Sequence, residues 1–258
     1  MEQKPLLIMV HGWGQTKRAF DPLVELLAQK LRVITFDLPG HGEAKNSGGP
    51  FTFERYRNEL SEVVKTSGAS SFHLLGWSMG GTISAGYCLE KTGVLPKSLT
   101  LLSATPKFVT HTHNLGIGQH PAGVKKMERQ IDRDTDSGLR NFIDSFFDSG
   151  EQITQAQRTE IENLFYSNNF PPNQEALLSS LSELASTDLT ISKKRFNEPV
   201  LLIYGRMDRI CPVGGQALWK KLFERVDELC LENTGHAPHL TQTAQVAESI
   251  ASFILKQE

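Results

Sequence analysis

Short apolar runs and longer segments of mixed polarity alternate along most of this chain. The short runs lie at 6–10, 32–38, 72–77, 98–104, 199–205 and 227–232. Runs of this length that end in turn residues are typical of strands buried in a parallel sheet. The segments between them predict helices over 17–30, 52–67, 79–91, 213–223 and 241–256. Strands that alternate with helices predict an α/β fold, with a mostly parallel central sheet flanked by helices.

One long segment interrupts this alternation. Between residues 107 and 195 the chain is polar with helical patterning, and glycine and proline residues punctuate it. Because the segment follows the fourth strand, it enters at the edge where parallel sheets bind ligands. The pattern therefore predicts a core formed by residues 1–106 and 196–258, and an all-helical cap, or lid, formed by residues 107–195.

Composition and charge exclude several classes of protein. The 258 residues are 39% hydrophobic, which is sufficient for one large α/β domain. A net charge of −2 indicates no basic surface for nucleic acid or anionic membranes. Three cysteines form no disulfide framework, and the run at 6–10 is too short for a signal peptide or a membrane span. We therefore expect a cytoplasmic monomer that binds neither nucleic acid nor membranes.

The clearest catalytic pattern is Gly76-Trp77-Ser78-Met79-Gly80, between the third strand and a helix of small residues. A G-x-S-x-G turn in this context is a nucleophile elbow, which lifts the serine hydroxyl above the sheet at the helix N-terminus. The glycines are needed because a β-carbon at either position would collide with the neighbouring helix or strand. The alternative is a structural serine in a glycine-rich turn, but the strand before and the helix after favour a nucleophile.

A serine hydroxyl needs a base to take its proton, and the base needs an orienting acid. Asp208 follows the strand at 199–205, and His236 follows the strand at 227–232. Both residues therefore come at strand ends, at the same edge of the predicted sheet as Ser78. We predict that His236 is the general base and acid, and that Asp208 orients it.

Two other residues compete for these roles. His239 lies three residues beyond His236 and enters a helix, where a surface or neighbouring position is the more common interpretation. Asp188 precedes a strand instead of following one, so the chain order places it away from the catalytic edge. Position along the chain favours His236 and Asp208 over both.

An oxyanion hole needs two backbone N–H donors. One is predicted at Met79, directly after the nucleophile, and the other at Trp13, in the turn at 11–14 after the first strand. Gly12 and Gly14 allow this turn to approach a substrate. The competing interpretation of Trp13 is a core aromatic residue.

The remaining histidine and glycine patterns predict neither a metal nor another cofactor. His41 lies in a tight glycine turn, where a structural bond to nearby backbone is the favoured interpretation. His111, His113 and His120 lack acidic or cysteine partners at ligand spacing. The Gly-Ile-Gly at 116–118 does not lead from a strand into a helix, as a dinucleotide fingerprint does.

These turns together resemble those of a known family. The chain is similar to the α/β-hydrolases over essentially its whole length, on the motifs HGWG, DLPGHG, GWSMGG, YGRMD and TGHAP. A narrower resemblance, to the pimeloyl-acyl-carrier-protein methyl ester esterases of biotin synthesis, rests on HGWG, GWSMGG, LLSATPKF, STDL and GHAPHL. Members of that family cleave the methyl ester from a pimeloyl chain carried on phosphopantetheine. The resemblance implies a serine carboxylesterase whose partner is an acyl carrier protein.

The resemblance also assigns residues to roles. Ser78, Asp208 and His236 match the family's triad, and Trp13 and Met79 match its oxyanion hole. Trp13, Met79 and His236 are thereby also implied as substrate-binding residues.

The cap carries the weaker correspondences. The stretch 140–147 is similar to the helix that lines the family's acyl channel, with Phe142 and Phe146 as wall residues. Members of the family present basic cap residues to the acidic carrier protein. The candidates here are Lys125, Lys126, Arg129, Arg133, Arg140 and Arg158. The alternative for each of them is a solvated helix face.

Other functions stay open at this point. The same fold serves general short-chain carboxylesterases, menaquinone-pathway lyases, carbon–carbon bond hydrolases and, in a different class, ligand receptors. The lyases and carbon–carbon hydrolases need arginines in the pocket, and neither HGWG nor GWSMGG contains one. The chain also begins almost at its first strand, so we expect the antiparallel hairpin usual at the start of this fold to be missing or vestigial.

Overall fold

The computed structural model describes residues 4–90, 93–110, 116–166 and 171–258. Six strands form one sheet: β1 Leu6–Val10, β2 Arg32–Phe36, β3 His73–Trp77, β4 Leu99–Leu102, β5 Val200–Gly205 and β6 Val226–Leu231. The strand order is β2-β1-β3-β4-β5-β6, and each of these pairings is parallel. The predicted α/β fold is therefore confirmed.

The helices lie between the strands or in the long insertion. In the described ranges they are α1 Asp21–Leu27, α2 Phe53–Thr66, α3 Met79–Glu90, α4 Pro121–Arg133, α5 Thr135–Asp144, α6 Gln155–Phe165, α7 Gln174–Ser186, α8 Val213–Trp219, α9 Pro238–Thr241 and α10 Thr243–Leu255. The helix predicted over 17–30 is shorter than expected, since a separate 3₁₀ turn, Lys17–Phe20, precedes α1, which begins at Asp21 with Pro22 in its first turn. Within the described part of the chain, no helix combines the length and apolar character needed to span a bilayer.

The core lies on both faces of the sheet. Every residue of β1, β3, β4 and β5 is buried, which explains why these strands lack polar alternation. The outer strands β2 and β6 are partly exposed. Helix α3 is buried along nearly its whole length and packs on β1, β3 and β4, so its small residues allow close approach to the sheet.

Helices α4 to α7 are inserted between β4 and β5, and they form what we call the cap segment. The chain enters and leaves this segment at one point. Lys107 and Asp188 form an antiparallel bridge there, and their side chains make an ion pair of 2.7 Å. The Leu189 N–H also donates to the Pro106 carbonyl at 2.9 Å. Asp188, the alternative to Asp208, therefore joins the two ends of the cap segment, which we call its neck, and its hydrogen bonds involve Lys107 and Thr190.

Candidate active site

Ser78 lies in the sharp turn between β3 and α3. Its φ of +54° is in the left-handed region, which is strained for a non-glycine residue. A Cβ on Gly76 would lie 2.3 Å from the Gly80 carbonyl oxygen, and a Cβ on Gly80 would lie 2.1 Å from the Val10 carbonyl oxygen. Only glycine fits at both positions, so the turn holds the Ser78 hydroxyl at the carboxyl edge of the sheet.

The structure brings Ser78, His236 and Asp208 into one hydrogen-bonded row. The Nε2 atom of His236 lies 2.9 Å from Ser78 Oγ, and its Nδ1 atom lies 2.8 Å from Asp208 Oδ2. All three residues are buried. An ionised carboxylate only accepts hydrogen bonds, so Nδ1 carries the proton and Nε2 presents its lone pair to the Ser78 hydroxyl. The arrangement suits proton transfer from the serine to the imidazole.

The turn after β5 orients Asp208. Its Oδ1 atom accepts hydrogen bonds from the N–H groups of Ile210 and Cys211, both at 2.8 Å, which leaves Oδ2 for His236. The Cys211 thiol lies inside this cluster, and burial raises its pKa well above the ordinary value, so the thiol stays neutral. Sequence reasoning missed Cys211, although its place three residues after Asp208 in one turn was the available signal.

Asp208, Cys211 and His236 offer ligand atoms within 4.8 Å of one another, a spacing that an ion could bridge. Both oxygens of Asp208 already accept hydrogen bonds within the cluster. The donors around the carboxylate thus fit a proton relay better than a metal site. The three cysteines of the chain, Cys88, Cys211 and Cys230, are free thiols.

The turn after β1 lies directly against Ser78. A Cβ on Gly12 would be only 3.3 Å from Ser78 Cβ. The Trp13 indole N–H donates to the Leu177 carbonyl of α7 at 2.9 Å, so the ring anchors the turn to the cap segment. Met79 is the first residue of α3, where backbone N–H groups have no partner within the helix. The backbone N–H groups of Trp13 and Met79 are thus on the two chain segments that flank Ser78.

His11 supports this turn, and sequence reasoning did not single it out. Its Nε2 accepts the Leu38 N–H at 2.9 Å, so Nδ1 carries the proton and donates to the Gly12 carbonyl at 2.9 Å. Burial lowers the pKa of His11, which keeps it in this neutral form. His41 packs beside it, with ring centroids 5.2 Å apart, and contacts the Pro39 carbonyl. His41 is thus a buried residue that bonds nearby backbone, as its structural interpretation predicts.

An aromatic cluster packs against His236. Trp77 contacts Phe146, Phe165 and His236, with centroid separations of 5.5, 6.4 and 5.8 Å. It also contacts His239 edge-on at 4.5 Å. Of the two interpretations of His239, the surface position is wrong, because its side chain is fully buried, and the neighbouring position agrees with its contact with Trp77, which also contacts His236. Burial lowers the pKa of His239 to about 3, so its imidazole is neutral. No hydrogen bond joins its ring nitrogens to Ser78.

The two phenylalanines predicted as channel walls occupy different positions. Phe146 is buried, contacts His236 with a centroid separation of 5.3 Å, and accepts the His236 N–H on its carbonyl oxygen at 2.7 Å. Phe142 is half-buried and lies edge-on to Trp13 at 5.0 Å. Their four-residue spacing predicted one helix face for both, but α5 ends at Asp144, so Phe142 is on the helix and Phe146 is in the turn after it.

A cavity of about 360 Å³ lies between α4, α5 and the turn after β5. Its apolar lining includes Phe108, Val124, Met127, Phe142 and Ile210, with Lys126 and Arg209 at its edge. Phe142 links this cavity to Trp13 and Phe146, and hence to the residues around Ser78. Phe146 is not among the lining residues.

The basic cap residues fall into two groups. Lys125, Lys126, Arg129 and Arg133 are exposed on α4, and no ion pair involves them in the ranges that the structure describes. Arg140 is exposed on α5 but pairs with Asp136 at 2.7 Å and lies over the Tyr166 ring at 4.1 Å. Arg158 is on α6, at a second cavity of about 460 Å³ that also contains Asp144, Asp148, Glu151 and Glu162.

Of the three histidines considered as metal ligands, the structure describes His120. His111 and His113 lie outside the described residues. His120 precedes α4, and its Nδ1 accepts the Ala122 N–H at 3.2 Å, so it caps that helix.

Comparison with protein families and curated proteins gives consistent matches. A family model described as alpha/beta hydrolase fold matches residues 5–243. A pimeloyl-[acyl-carrier protein] methyl ester esterase from Xanthomonas oryzae pv. oryzae (strain MAFF 311018) is 28% identical over 254 residues, covering 97% of this chain and 95% of that protein. One of the same name from Stenotrophomonas maltophilia (strain K279a) is 30% identical over 255 residues, covering 97% and 93%.

Solved structures share the architecture. An esterase, EaEST, from Exiguobacterium antarcticum superposes with a TM-score of 0.85 at 22% identity, covering 98% of this chain and 93% of that one. A bromoperoxidase from Bacillus anthracis gives 0.86 at 19%, covering 98% and 92%. At these identities, and with such different names, the likeness establishes the fold alone.

Proposed function

Because the chain belongs to the alpha/beta hydrolase family and is a serine hydrolase that acts on esters, we propose that Ser78, His236 and Asp208 are its catalytic triad. We further propose that its substrate is the methyl ester of a pimeloyl chain on an acyl carrier protein. The hydrogen-bonded row from Ser78 Oγ through His236 to Asp208 carries the first proposal. The similarity to the two esterases supports the second.

The reaction begins with acylation of the serine. His236 Nε2 takes the proton of Ser78 as Oγ attacks the ester carbonyl carbon, and Asp208 stabilises the resulting imidazolium. The N–H groups of Trp13 and Met79 donate to the oxyanion, and each such donor contributes about a hundredfold to a thousandfold in rate. The imidazolium then protonates the departing methoxide, so methanol leaves and an acyl-serine remains.

Deacylation repeats these steps with water. His236 takes a proton from water as its oxygen attacks the acyl carbon, and the same N–H groups bind the second oxyanion. When that intermediate collapses, His236 returns the proton to Ser78 Oγ. The products are the free carboxylate and a regenerated hydroxyl, and no cofactor takes part.

The apolar cavity beneath the cap segment supports a medium-length acyl substrate. Its volume of about 360 Å³ is within the range of small-ligand sites, about 300–1,000 Å³. Six apolar side chains line it, which suits methylene groups, and polar side chains such as Gln119 and Asn141 share the lining. In the proposed complex the acyl chain passes Phe142, which separates the cavity from Trp13, and the distal ester reaches Ser78. Phe146 contributes by packing on His236 and does not form a wall.

Helix α4 is the proposed docking surface for the carrier. Its four exposed basic residues suit an acidic protein whose prosthetic group carries a phosphate. Lys126 belongs both to this surface and to the cavity edge, so a carrier bound on α4 presents its acyl chain to the cavity. A docked carrier also holds its thioester at the mouth, away from Ser78, which explains how that bond is spared. Arg140 and Arg158 are weaker candidates for contact with the carrier. Arg140 already pairs with Asp136, and Arg158 lines a cavity together with four carboxylates.

One experiment separates this substrate from general esterase activity. The gene is expressed in a bacterial strain that lacks its own pimeloyl-carrier esterase, and growth without biotin is scored. We expect rescue by the wild type and none by Ser78→Ala at equal protein level. Activity on p-nitrophenyl esters without rescue would indicate a general carboxylesterase. A wild type inert on every ester would indicate a receptor. Location in the cytoplasm and the monomeric state stay predictions.

A further inference from the structure

The loop between α5 and α6, residues 145–154, makes polar contacts with both turns that carry the acid and the base. The Phe146 carbonyl accepts the His236 N–H at 2.7 Å. Asp148 pairs with Arg209, the neighbour of Asp208, at 2.9 Å. Because this loop belongs to the cap segment, the cap segment contacts the turns of Asp208 and His236 through polar groups as well as apolar ones.

Glu151 makes the most direct of these contacts. Its Oε2 accepts the N–H of Gly235, the residue before His236, at 3.1 Å. Its Oε1 accepts the Thr241 hydroxyl at 2.6 Å, at the end of α9. One carboxylate therefore bonds the chain on both sides of His236. Oε2 also accepts the Asp148 N–H at 3.3 Å, which holds the carboxylate within its own loop.

The packing around Gly235 leaves no space for a side chain. A Cβ on this residue would lie 2.2 Å from the Phe146 carbonyl oxygen and 3.0 Å from Glu151 Oε2. The cap loop and the histidine turn are thus in backbone contact. If the loop shifts, Gly235 and His236 lose two hydrogen-bond acceptors at once.

We propose that Glu151 is a positioning residue, which holds the His236 turn in register with Ser78 and so couples the seating of the cap segment to catalysis. This inference rests on the proposed role of His236 as the base. In this account the cap segment is required even for substrates too small to contact it, because it completes the support of the imidazole. A displacement of about 1 Å at a catalytic group costs on the order of a hundredfold in rate.

The test uses p-nitrophenyl acetate, which is too small to need the acyl cavity. We expect Glu151→Ala to lower kcat about ten- to a hundredfold with little change in KM. Glu151→Gln should retain most of the activity, because its carbonyl accepts the Gly235 N–H and its amide donates to Thr241 Oγ1. Glu160→Ala, on the exposed side of α6, is the matched control and should behave as wild type.

A spectroscopic readout distinguishes positioning from loss of fold. The proton between His236 Nδ1 and Asp208 gives a far-downfield NMR resonance, which should weaken in Glu151→Ala and persist in the Gln and Glu160 variants. Wild-type kcat in a folded Glu151→Ala protein would overturn the proposal, and so would an equal loss in Glu151→Gln. If Glu151→Ala does not fold, Thr241→Val decides, with a several-fold loss of kcat expected and wild-type kcat contradicting it. Wild-type protein that hydrolyses p-nitrophenyl acetate no faster than Ser78→Ala would instead contradict the proposed triad, on which this inference rests.

Discussion

The indole Nε1–H of Trp77 donates to the backbone carbonyl of His236 at 3.1 Å. Trp77 immediately precedes Ser78, the proposed nucleophile, so the residue before Ser78 holds the residue that carries the imidazole. The contact joins the end of β3 to the turn after β6, strands that are separated by β4 and β5 in the sheet. Because both groups are buried, the geometry between Ser78 and His236 depends on a side chain as well as on the sheet.

Replacing Trp77 with Phe should impair catalysis and stability together. The His236 carbonyl would be left buried without this donor, which costs about 1–3 kcal/mol, and kcat on p-nitrophenyl acetate should fall on the order of tenfold. Trp219→Phe is the matched control, since the Trp219 indole donates to the Ala104 carbonyl at 3.0 Å. It should leave kcat unchanged and lower the free energy of unfolding by less, because Gln216 Nε2 also donates to that carbonyl at 3.0 Å. Equal kcat values for both variants would contradict the role of Trp77.

Replacing Asp208 with Asn should lower kcat about ten-thousandfold while the protein stays folded. The amide lets its NH₂ group face His236 Nδ1, which favours the tautomer with its proton on Nε2. That tautomer is unable to accept the Ser78 proton. Asp188→Asn provides the comparison, because Asp188 pairs with Lys107 at the neck of the cap segment. Steady-state kinetics of both variants test which aspartate orients His236. A larger loss of kcat in Asp188→Asn would refute the assignment of Asp208.

Two glycines of α3 should respond oppositely to alanine. Gly80→Ala puts a Cβ 2.1 Å from the Val10 carbonyl oxygen, so backbone must move, and we expect a loss of about 1–3 kcal/mol or more. A Cβ on Gly86 has its closest contact with Arg57 at 3.4 Å, which is ordinary packing. Gly86→Ala should therefore gain up to about 1 kcal/mol from helix propensity. Urea unfolding of the two variants measures both changes.

The free energy of unfolding should fall as the pH drops below about 6.5. Burial lowers the pKa values of His41 and His239 to about 3, and lowers those of His11 and His73 as well. These groups stay neutral in the folded protein, whereas unfolded histidines bind protons below about pH 6.5. The unfolded state then binds more protons, so stability present above pH 6.5 is lost progressively towards pH 3.

Each such histidine contributes a slope of up to about 1.4 kcal/mol per pH unit. Denaturant unfolding at pH 7, 6 and 5 measures the total slope. His239→Leu removes one of the titrating groups and should reduce the slope by about one proton's share. An unchanged slope in that variant would show that His239 is protonated in the folded protein.

Charge reversal on α4 should separate carrier-linked substrates from small esters. Arg129→Glu with Arg133→Glu should raise KM for a methyl pimeloyl carrier substrate at least about tenfold, because opposite charges on exposed surfaces mainly control association. The kcat on p-nitrophenyl acetate should change little. Lys256→Glu, at the C-terminal end of α10, is the control with the same sign of change. If Lys256→Glu raises this KM as much as the double variant does, net charge and not α4 would explain the effect. Added salt should weaken an effect that depends on α4.

Much of the architecture follows from local patterns. Apolar runs of strand length, separated by helical segments, predicted the parallel sheet, because a strand buried on both faces needs no polar side. Turn chemistry predicted where Ser78, Asp208 and His236 would meet, since parallel strands end at one edge. The structure brings these three side chains within hydrogen-bond distance. Their spacing of 130 and 28 residues along the chain carries no such information by itself.

Only the tertiary structure decided how the insertion packs on this edge. Phe142 and Phe146 are four residues apart, yet one lines a cavity and the other packs on His236. Glu151 is one acidic residue among several in a polar stretch, and nothing local distinguishes it from Glu160. Likewise, the burial of His239 depends on Trp77, which is distant in sequence. Strand pattern and turn chemistry are local, and the amino-acid sequence determined them directly. The roles of the cap residues arise from contacts between distant segments, which exist only once the chain has folded.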